Sequence, residues 1–202
     1  MTDDYHPYVF DVEHRAFVGR FEEMYGHEQA GGYDSWHERD LRMLRKTLSR
    51  TILDAFAFGR ILEIGCGKGT FTQVLKKSNN HVTAIDSSEA AIKRATASYP
   101  DIDFRCMRSE DIAQLEQQFD LVVVMATLAY VEAWPALLAT VAGMTRYLYV
   151  AEYIPPNPIG FVKSSADLLG AIGSHFVIRT KVIVDDEQCL VLGERPMAGS
   201  SR

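Results

Sequence analysis

Glu63, Gly65, Gly67 and Gly69 stand at alternate positions in the run Ile61-Leu62-Glu63-Ile64-Gly65-Cys66-Gly67-Lys68-Gly69-Thr70. An apolar stretch that breaks into glycines reads as a buried parallel strand turning tightly into a helix. Glycine lets the backbone bend without a Cβ clash and lets a ligand come close to the main chain. A helix starting at such a turn aims free N–H groups at whatever lies above the strand. Residues 61–70 therefore have the form of a cofactor cradle. A phosphate-binding Walker loop needs Gly, four residues, then Gly-Lys-Ser/Thr. Here Gly69 follows Gly67-Lys68, and Leu62 occupies the earlier glycine position. A dinucleotide loop needs G-x-G-x-x-G, and Thr70 stands at its third glycine.

Other segments extend the pattern. His81-Val82-Thr83-Ala84-Ile85-Asp86 alternates like a strand and ends on an acid. Asp86 follows the first glycine at the distance where nucleotide-binding α/β folds place the carboxylate that holds the ribose hydroxyls. Its alternative role is a helix N-cap, which Ser87 or Ser88 could equally fill. Ile102-Asp103-Phe104-Arg105-Cys106 reads as a further strand and leads into Ser109-Glu110-Asp111-Ile112. Phe119-Asp120-Leu121-Val122-Val123-Val124-Met125-Ala126 has the unbroken apolar run of a strand buried on both faces.

In order and spacing, these four elements resemble the class I S-adenosylmethionine-dependent methyltransferases. Their first signature is E-x-G-x-G-x-G, here Glu63 to Gly69. The resemblance covers about residues 36–195. It implies S-adenosylmethionine as cofactor and S-adenosylhomocysteine as product, with no metal. It implies a cofactor site at Glu63, Gly65, Cys66, Gly67, Gly69, Asp86, Ser87, Glu110, Asp111 and Met125. In that scheme Asp111 accepts from the adenine amino group and Glu110 flanks the ring. The chain is also similar to the nodulation N-methyltransferase type, which methylates an amino sugar oligosaccharide. Trp36-His37-Glu38-Arg39-Asp40-Leu41 and Leu128-Ala129-Tyr130-Val131-Glu132 carry that likeness. One departure is Ala126, where that subgroup tends to have a carboxylate, so its substrate and base do not carry over.

The 202 residues suffice for one core and not for two sizeable domains. Apolar content of 47% and charged content of 24% are those of an ordinary globular chain. A net charge of -6 argues against a nucleic-acid partner, which wants a basic footprint. The start is acidic, unlike a signal peptide, and no apolar run approaches a membrane span. Cys66, Cys106 and Cys189 form no C-x-x-C, so neither zinc nor a disulfide framework is indicated. The expectation is a cytoplasmic enzyme acting on a small molecule, with a homodimer compatible.

Leu41, Leu44, Leu48, Ile52 and Ala55 predict an amphipathic helix over 36–56. Strands are expected at 61–65, 81–86, 102–106, 120–125 and 147–153. Helices are expected at 70–77, 88–98, 110–116, 134–142 and 162–173. Residues 176–184 and 188–195 read as a closing hairpin turned at Asp185-Asp186. The fold class is α/β: a Rossmann-like, doubly wound, mostly parallel seven-stranded sheet with a C-terminal antiparallel hairpin. Residues 36–196 form this domain, 197–202 a tail, and 1–35 an N-terminal cover over the substrate, with a helix near 12–25.

Ligands in such sheets sit beyond the carboxyl ends of the strands. The acceptor should therefore meet the cofactor near Ala126–Tyr130, Glu152–Pro158 and the N-terminal 35 residues. His27, Tyr33, Trp36 and Tyr130 are the candidate substrate-binding residues. Tyr130 and Glu152 are the candidate catalytic residues, ahead of His27, Tyr33 and His175. His37 is expected near the methionine end of the cofactor, and Lys68 is expected to point to solvent. Two rivals remain: an NAD-dependent oxidoreductase, disfavoured by Thr70 and the hairpin, and a non-catalytic S-adenosylmethionine-binding subunit.

Overall fold

The unbroken apolar runs of the sequence become the centre of a seven-stranded sheet. The structure, a computed structural model, describes residues 6–31 and 34–196. Strands β1 (Phe10–Asp11) and β2 (Ala16–Phe17) form a small hairpin, followed by helix α1 (Phe21–Gly31). A 3-10 turn at Ser35–His37 leads to α2 (Leu44–Leu53). Then come β3 (Arg60–Ile64), α3 (Thr72–Leu75), β4 (His81–Asp86), α4 (Glu89–Ser98) and β5 (Asp103–Cys106). A 3-10 helix at Ser109–Leu115 precedes β6 (Phe119–Met125), and a second at Leu128–Tyr130 precedes α5 (Trp134–Met144). Strand β7 (Thr145–Tyr153), α6 (Ser165–Gly173), β8 (Val177–Val184) and β9 (Gln188–Glu194) complete the domain.

The strand order is β5-β4-β3-β6-β7-β9-β8. Only β9 runs against the rest, pairing antiparallel with both β7 and β8. The hairpin turns through Asp185, Asp186 and Glu187, with Asp185 and Asp186 both left-handed (φ 52° and 57°) and Glu187 N donating to the Val184 carbonyl at 3.1 Å. The chain winds outward from β3 through β4 to β5, then crosses back to β6 on the other side of β3. That reversal opens a crevice at the carboxyl ends of β3 and β6.

Strand periodicity divides the core in two. Leu62, Ile64, Val122, Val124, Leu148 and Val150 face α5 and α6. Ile61, Leu121, Val123, Tyr149, Ala151 and Leu190 face the other way, with Leu53 and Leu75. Tyr149 Oη donates to Ser49 Oγ at 2.8 Å, fastening α2 to the middle of the sheet. Among the described residues, no helix is long and apolar enough to cross a membrane.

Two helices differ from expectation. The helix predicted over 36–56 begins only at Leu44, because Trp36 and His37 take left-handed φ of 63° and 49°. Lys46 Nζ donates to the carbonyls of His37, Glu38 and Asp40 and closes this turn. The helix expected near 12–25 lies instead at Phe21–Gly31, because residues 10–17 pair as a hairpin. The predicted tail, 197–202, lies outside the described residues.

Candidate active site

The loop after β3 is shaped by three left-handed glycines, Gly65 (φ 76°), Gly67 (φ 53°) and Gly69 (φ 80°). Each excludes a side chain for a different reason. A Cβ on Gly65 would collide with the Thr127 side chain. One on Gly67 would lie 2.7 Å from Glu38 Oε1 and 2.8 Å from Tyr25 Oη, and one on Gly69 would lie 2.6 Å from the Phe104 ring. Gly69 is thus a packing glycine and does not line the cavity described below, contrary to its expected cofactor contact.

Asp86 ends β4 facing this loop. Its Oδ2 accepts from Gly67 N and its Oδ1 from Ser88 N, both at 2.9 Å. Ser88 Oγ accepts from Ala91 N and caps α4, so Asp86 is not needed as the cap. Burial pushes the Asp86 carboxyl up, while the Ser88 and Gly67 amides pull it down.

A cavity of about 790 Å³ opens over the crevice. Its size lies within the roughly 300–1,000 Å³ typical of ligand pockets. Glu63, Gly65, Cys66, Gly67, Asp86, Ser87, Glu110 and Met125 line it, as do Trp36, His37, Tyr130 and Glu152. A cradle that only glycine leaves open lies beside Asp86, each of whose carboxylate oxygens keeps a lone pair for a ribose hydroxyl. Met107, Ser109 and Glu110 add both apolar and polar groups to the lining, a mixture that suits adenine. Arg45, from α2, also lines the cavity, and its buried Nε has no hydrogen-bond partner, which suits a carboxylate. These residues fit the cofactor.

Three carboxyls in this wall are pushed up by burial. Glu63 reaches about 8, with the Thr72 hydroxyl working against the shift, and its buried Oε2 has no hydrogen-bond partner. Glu38 reaches about 7, with Lys68 opposing. Glu152, 1% exposed, also reaches about 7, against the Leu128 and Thr127 amides.

Glu152 turns out to hold a loop. Its Oε1 accepts from Thr127 N and Leu128 N, both at 2.8 Å. Ala126 before them is left-handed (φ 50°), which turns Thr127 onto Gly65. The loop presents Tyr130, whose ring centroid lies 5.4–6.1 Å from those of Phe21, Phe10, Trp36 and Phe17. Burial, then the Glu152 charge, raises the Tyr130 hydroxyl above its usual range.

Several expected site residues lie elsewhere. Asp111 sits on the 3-10 helix, where Gln114 Nε2 donates to its Oδ1, and it is not part of the cavity wall. The tighter 3-10 winding leaves Ser109 and Glu110 on the wall in its place. His27 is exposed on α1, its ring 5.7 Å from that of Tyr8 and away from the cavity. His175 precedes β8 at the opposite end of the sheet. Tyr33 lies outside the described residues. Lys68 is not in solvent: it is 6% exposed beneath the N-terminal segment. Glu38, Arg45 and Gln188 line the cavity without having been foreseen, whereas Tyr25 and Thr127 fall within the stretches expected near the acceptor. Arg45 stands beside the apolar stripe of its helix, the one sequence signal that could have marked it. Among the described residues, no group of three or more His, Cys, Asp or Glu is placed to hold a metal ion.

Comparison with known proteins agrees with this geometry. Residues 35–155 match the family model described as a methyltransferase domain. The ubiquinone biosynthesis O-methyltransferase of Rhizobium rhizogenes is 32% identical over 99 residues, 46% of this chain and 40% of that protein. The malonyl-[acyl-carrier protein] O-methyltransferase of Acetivibrio thermocellus is 30% identical over 112 residues, 54% of this chain and 39% of that protein. The chain thus spans about two fifths of the length of these relatives. Among solved structures, the N-methyltransferase NodS from Bradyrhizobium japonicum, in complex with S-adenosylhomocysteine, superposes with a TM-score of 0.72 at 23% identity. That match covers 87% of this chain and 98% of NodS. The N-terminal domain of EvdMO1, with S-adenosylhomocysteine bound, gives 0.62 at 21% identity over 76% and 82% of the two chains. By family and by fold, the chain belongs to the class I S-adenosylmethionine-dependent methyltransferases.

Proposed function

We propose that the chain transfers the methyl group of S-adenosylmethionine to a nitrogen or oxygen atom of a small polar metabolite. One observation carries the reading. A single cavity joins the Gly65–Asp86 cradle to a wall formed by Tyr130, Glu152, Tyr153 and Gln188, so cofactor and acceptor share one chamber. The similar proteins named above include both O- and N-methyltransferases. An amino sugar or another biosynthetic intermediate is the acceptor class that suits a wall of mixed aromatic and polar groups.

When bound, the cofactor supplies a methyl group already activated on sulfur. The chain's own residues then hold the partners in line, and orientation of this kind can be worth roughly 7–11 kcal/mol. Asp86 and the glycine loop grip the nucleoside, and Arg45 grips the carboxylate. Tyr130, backed by its aromatic cluster, forms the acceptor wall. Glu152, near neutrality, is the carboxyl placed to take the proton that the acceptor sheds, a contribution of about 10²–10⁴-fold where it applies.

The test is S-adenosylhomocysteine release from S-adenosylmethionine in a panel of amine, amino sugar, phenol and carboxylic acid acceptors. Turnover with one class, abolished by Asp86→Ala, is the expected result. Cofactor binding without turnover on any acceptor would instead support a non-catalytic binding subunit.

A further inference from the structure

Lys68 stands between Gly67 and Gly69, so the glycine loop itself dictates where its side chain goes. Its Nζ donates to Glu28 Oε1 and Asp34 Oδ1, each at 2.5 Å, and lies 3.9 Å from Glu38 Oε1. The Glu28 side chain is wholly buried, and Arg94 Nη1 of α4 reaches the same oxygen at 3.2 Å. The main chain joins in: Lys68 N donates to Glu38 Oε2 at 3.0 Å, while Tyr25 Oη donates to Oε1 at 2.9 Å. The remaining oxygens of this cluster are also engaged, Glu28 Oε2 by Ser35 N and Asp34 Oδ2 by Arg39 N. Every carboxylate partner of Lys68 therefore comes from residues 28–38, and the lysine comes from the loop.

Lys68 does not line the cavity, whereas Tyr25, Trp36, His37 and Glu38 do. Whatever it does for a ligand is transmitted through those residues. The segment also carries backbone strain at Trp36 and His37, both left-handed without being glycine. Strain of that kind persists only where the surroundings enforce it. A buried ammonium shared by two or three carboxylates is such an enforcement, because removing one partner strands an uncompensated charge.

We propose that Lys68 is a positioning residue that locks the N-terminal segment (residues 21–31 and 34–38) to the glycine loop. Seating the segment and shaping the cofactor cradle are then one event. This rests on the reading of the cavity as a cofactor site. Without the lysine, the segment loses its anchor, and the wall formed by Tyr25, Trp36 and Glu38 no longer stays over Gly67.

The test combines hydrogen–deuterium exchange with calorimetric titration of S-adenosylhomocysteine, on the full chain and its variants. Lys68→Met should speed exchange in residues 21–31 and 34–38 and weaken binding by about tenfold or more. Exchange in α5 should not change, which shows that the fold is intact. Lys68→Arg should restore part of both. The double variant Glu28→Gln, Asp34→Asn loosens the same lock from the other side and keeps the test open if Lys68→Met fails to fold. Wild-type affinity together with wild-type exchange in these variants would overturn the proposal while leaving the cofactor reading intact. Failure of the wild-type chain itself to bind S-adenosylhomocysteine would overturn both.

Discussion

The acids of the cavity differ in what their burial does. Glu63 is buried on β3 near Thr72, Glu38 and Asp86, and burial pushes its carboxyl up to about 8. In the unfolded chain it titrates near the ordinary 4.5. Between these values the folded protein holds a proton that the unfolded chain has released, so stability falls as pH rises from about 4.5 to about 8 and then levels off. The slope from one such group is at most about 1.4 kcal/mol per pH unit. Glu38 and Glu152, both near 7, act in the same direction but level off sooner. Melting temperatures of the ligand-free protein should therefore drop between pH 6 and pH 9, and Glu63→Gln should flatten the part of that drop between pH 7 and pH 8. An unchanged profile in the variant would remove Glu63 as its source. The turn at Gly65 and the strand-end position of Asp86 were legible from spacing alone, because glycine conformation and strand-end acids are local properties. Lys68 was misread and Arg45 missed for the opposite reason: the groups around a long cationic side chain are set by tertiary packing, here by residues about 30–40 positions away in the case of Lys68.

At the scale of elements, the loop between β6 and α5 depends on β7. Glu152 accepts from two successive amides of that loop. Glu152→Ala leaves both without their acceptor, and an unsatisfied buried donor costs about 1–3 kcal/mol. At about 2–4 °C per kcal/mol for a chain of this size, the melting temperature should fall by several degrees. Glu152→Gln keeps an oxygen for the amides while removing the titratable carboxyl. It should leave melting nearly unchanged, lower kcat and leave the KM for S-adenosylmethionine close to wild type. Equal loss of stability in both variants would make Glu152 structural only. The sheet strands were legible because their apolar runs are long and bounded by turn residues. The region before residue 44 was not. A two-residue hairpin at Phe10–Asp11 and Ala16–Phe17 and a left-handed pair at Trp36–His37 interrupt patterns that read as helix. The 3-10 winding at Ser109–Leu115 likewise moved Asp111 off the wall that a sequence motif would assign to it.

At the scale of the whole molecule, the strand order opens one crevice at β3 and β6, and the cavity lies over it. The β3–β4–β5 half supplies Gly65, Asp86 and Glu110, and the β6–β7–β9 half supplies Met125, Glu152 and Gln188. The N-terminal segment covers the junction through Tyr25, Trp36 and Glu38. The β9–β8 hairpin was foreseen as two strands turned at Asp185-Asp186, and it closes the sheet beside β7 with Gln188 at the cavity edge. The measurement that bears most directly on this arrangement is calorimetric titration of the purified chain with S-adenosylhomocysteine, with NADH in parallel and Asp86→Ala as the variant. Micromolar binding of S-adenosylhomocysteine, weakened at least about tenfold in Asp86→Ala, with no NADH binding, is the predicted result. Binding of NADH without S-adenosylhomocysteine, or S-adenosylhomocysteine binding indifferent to Asp86, would contradict it.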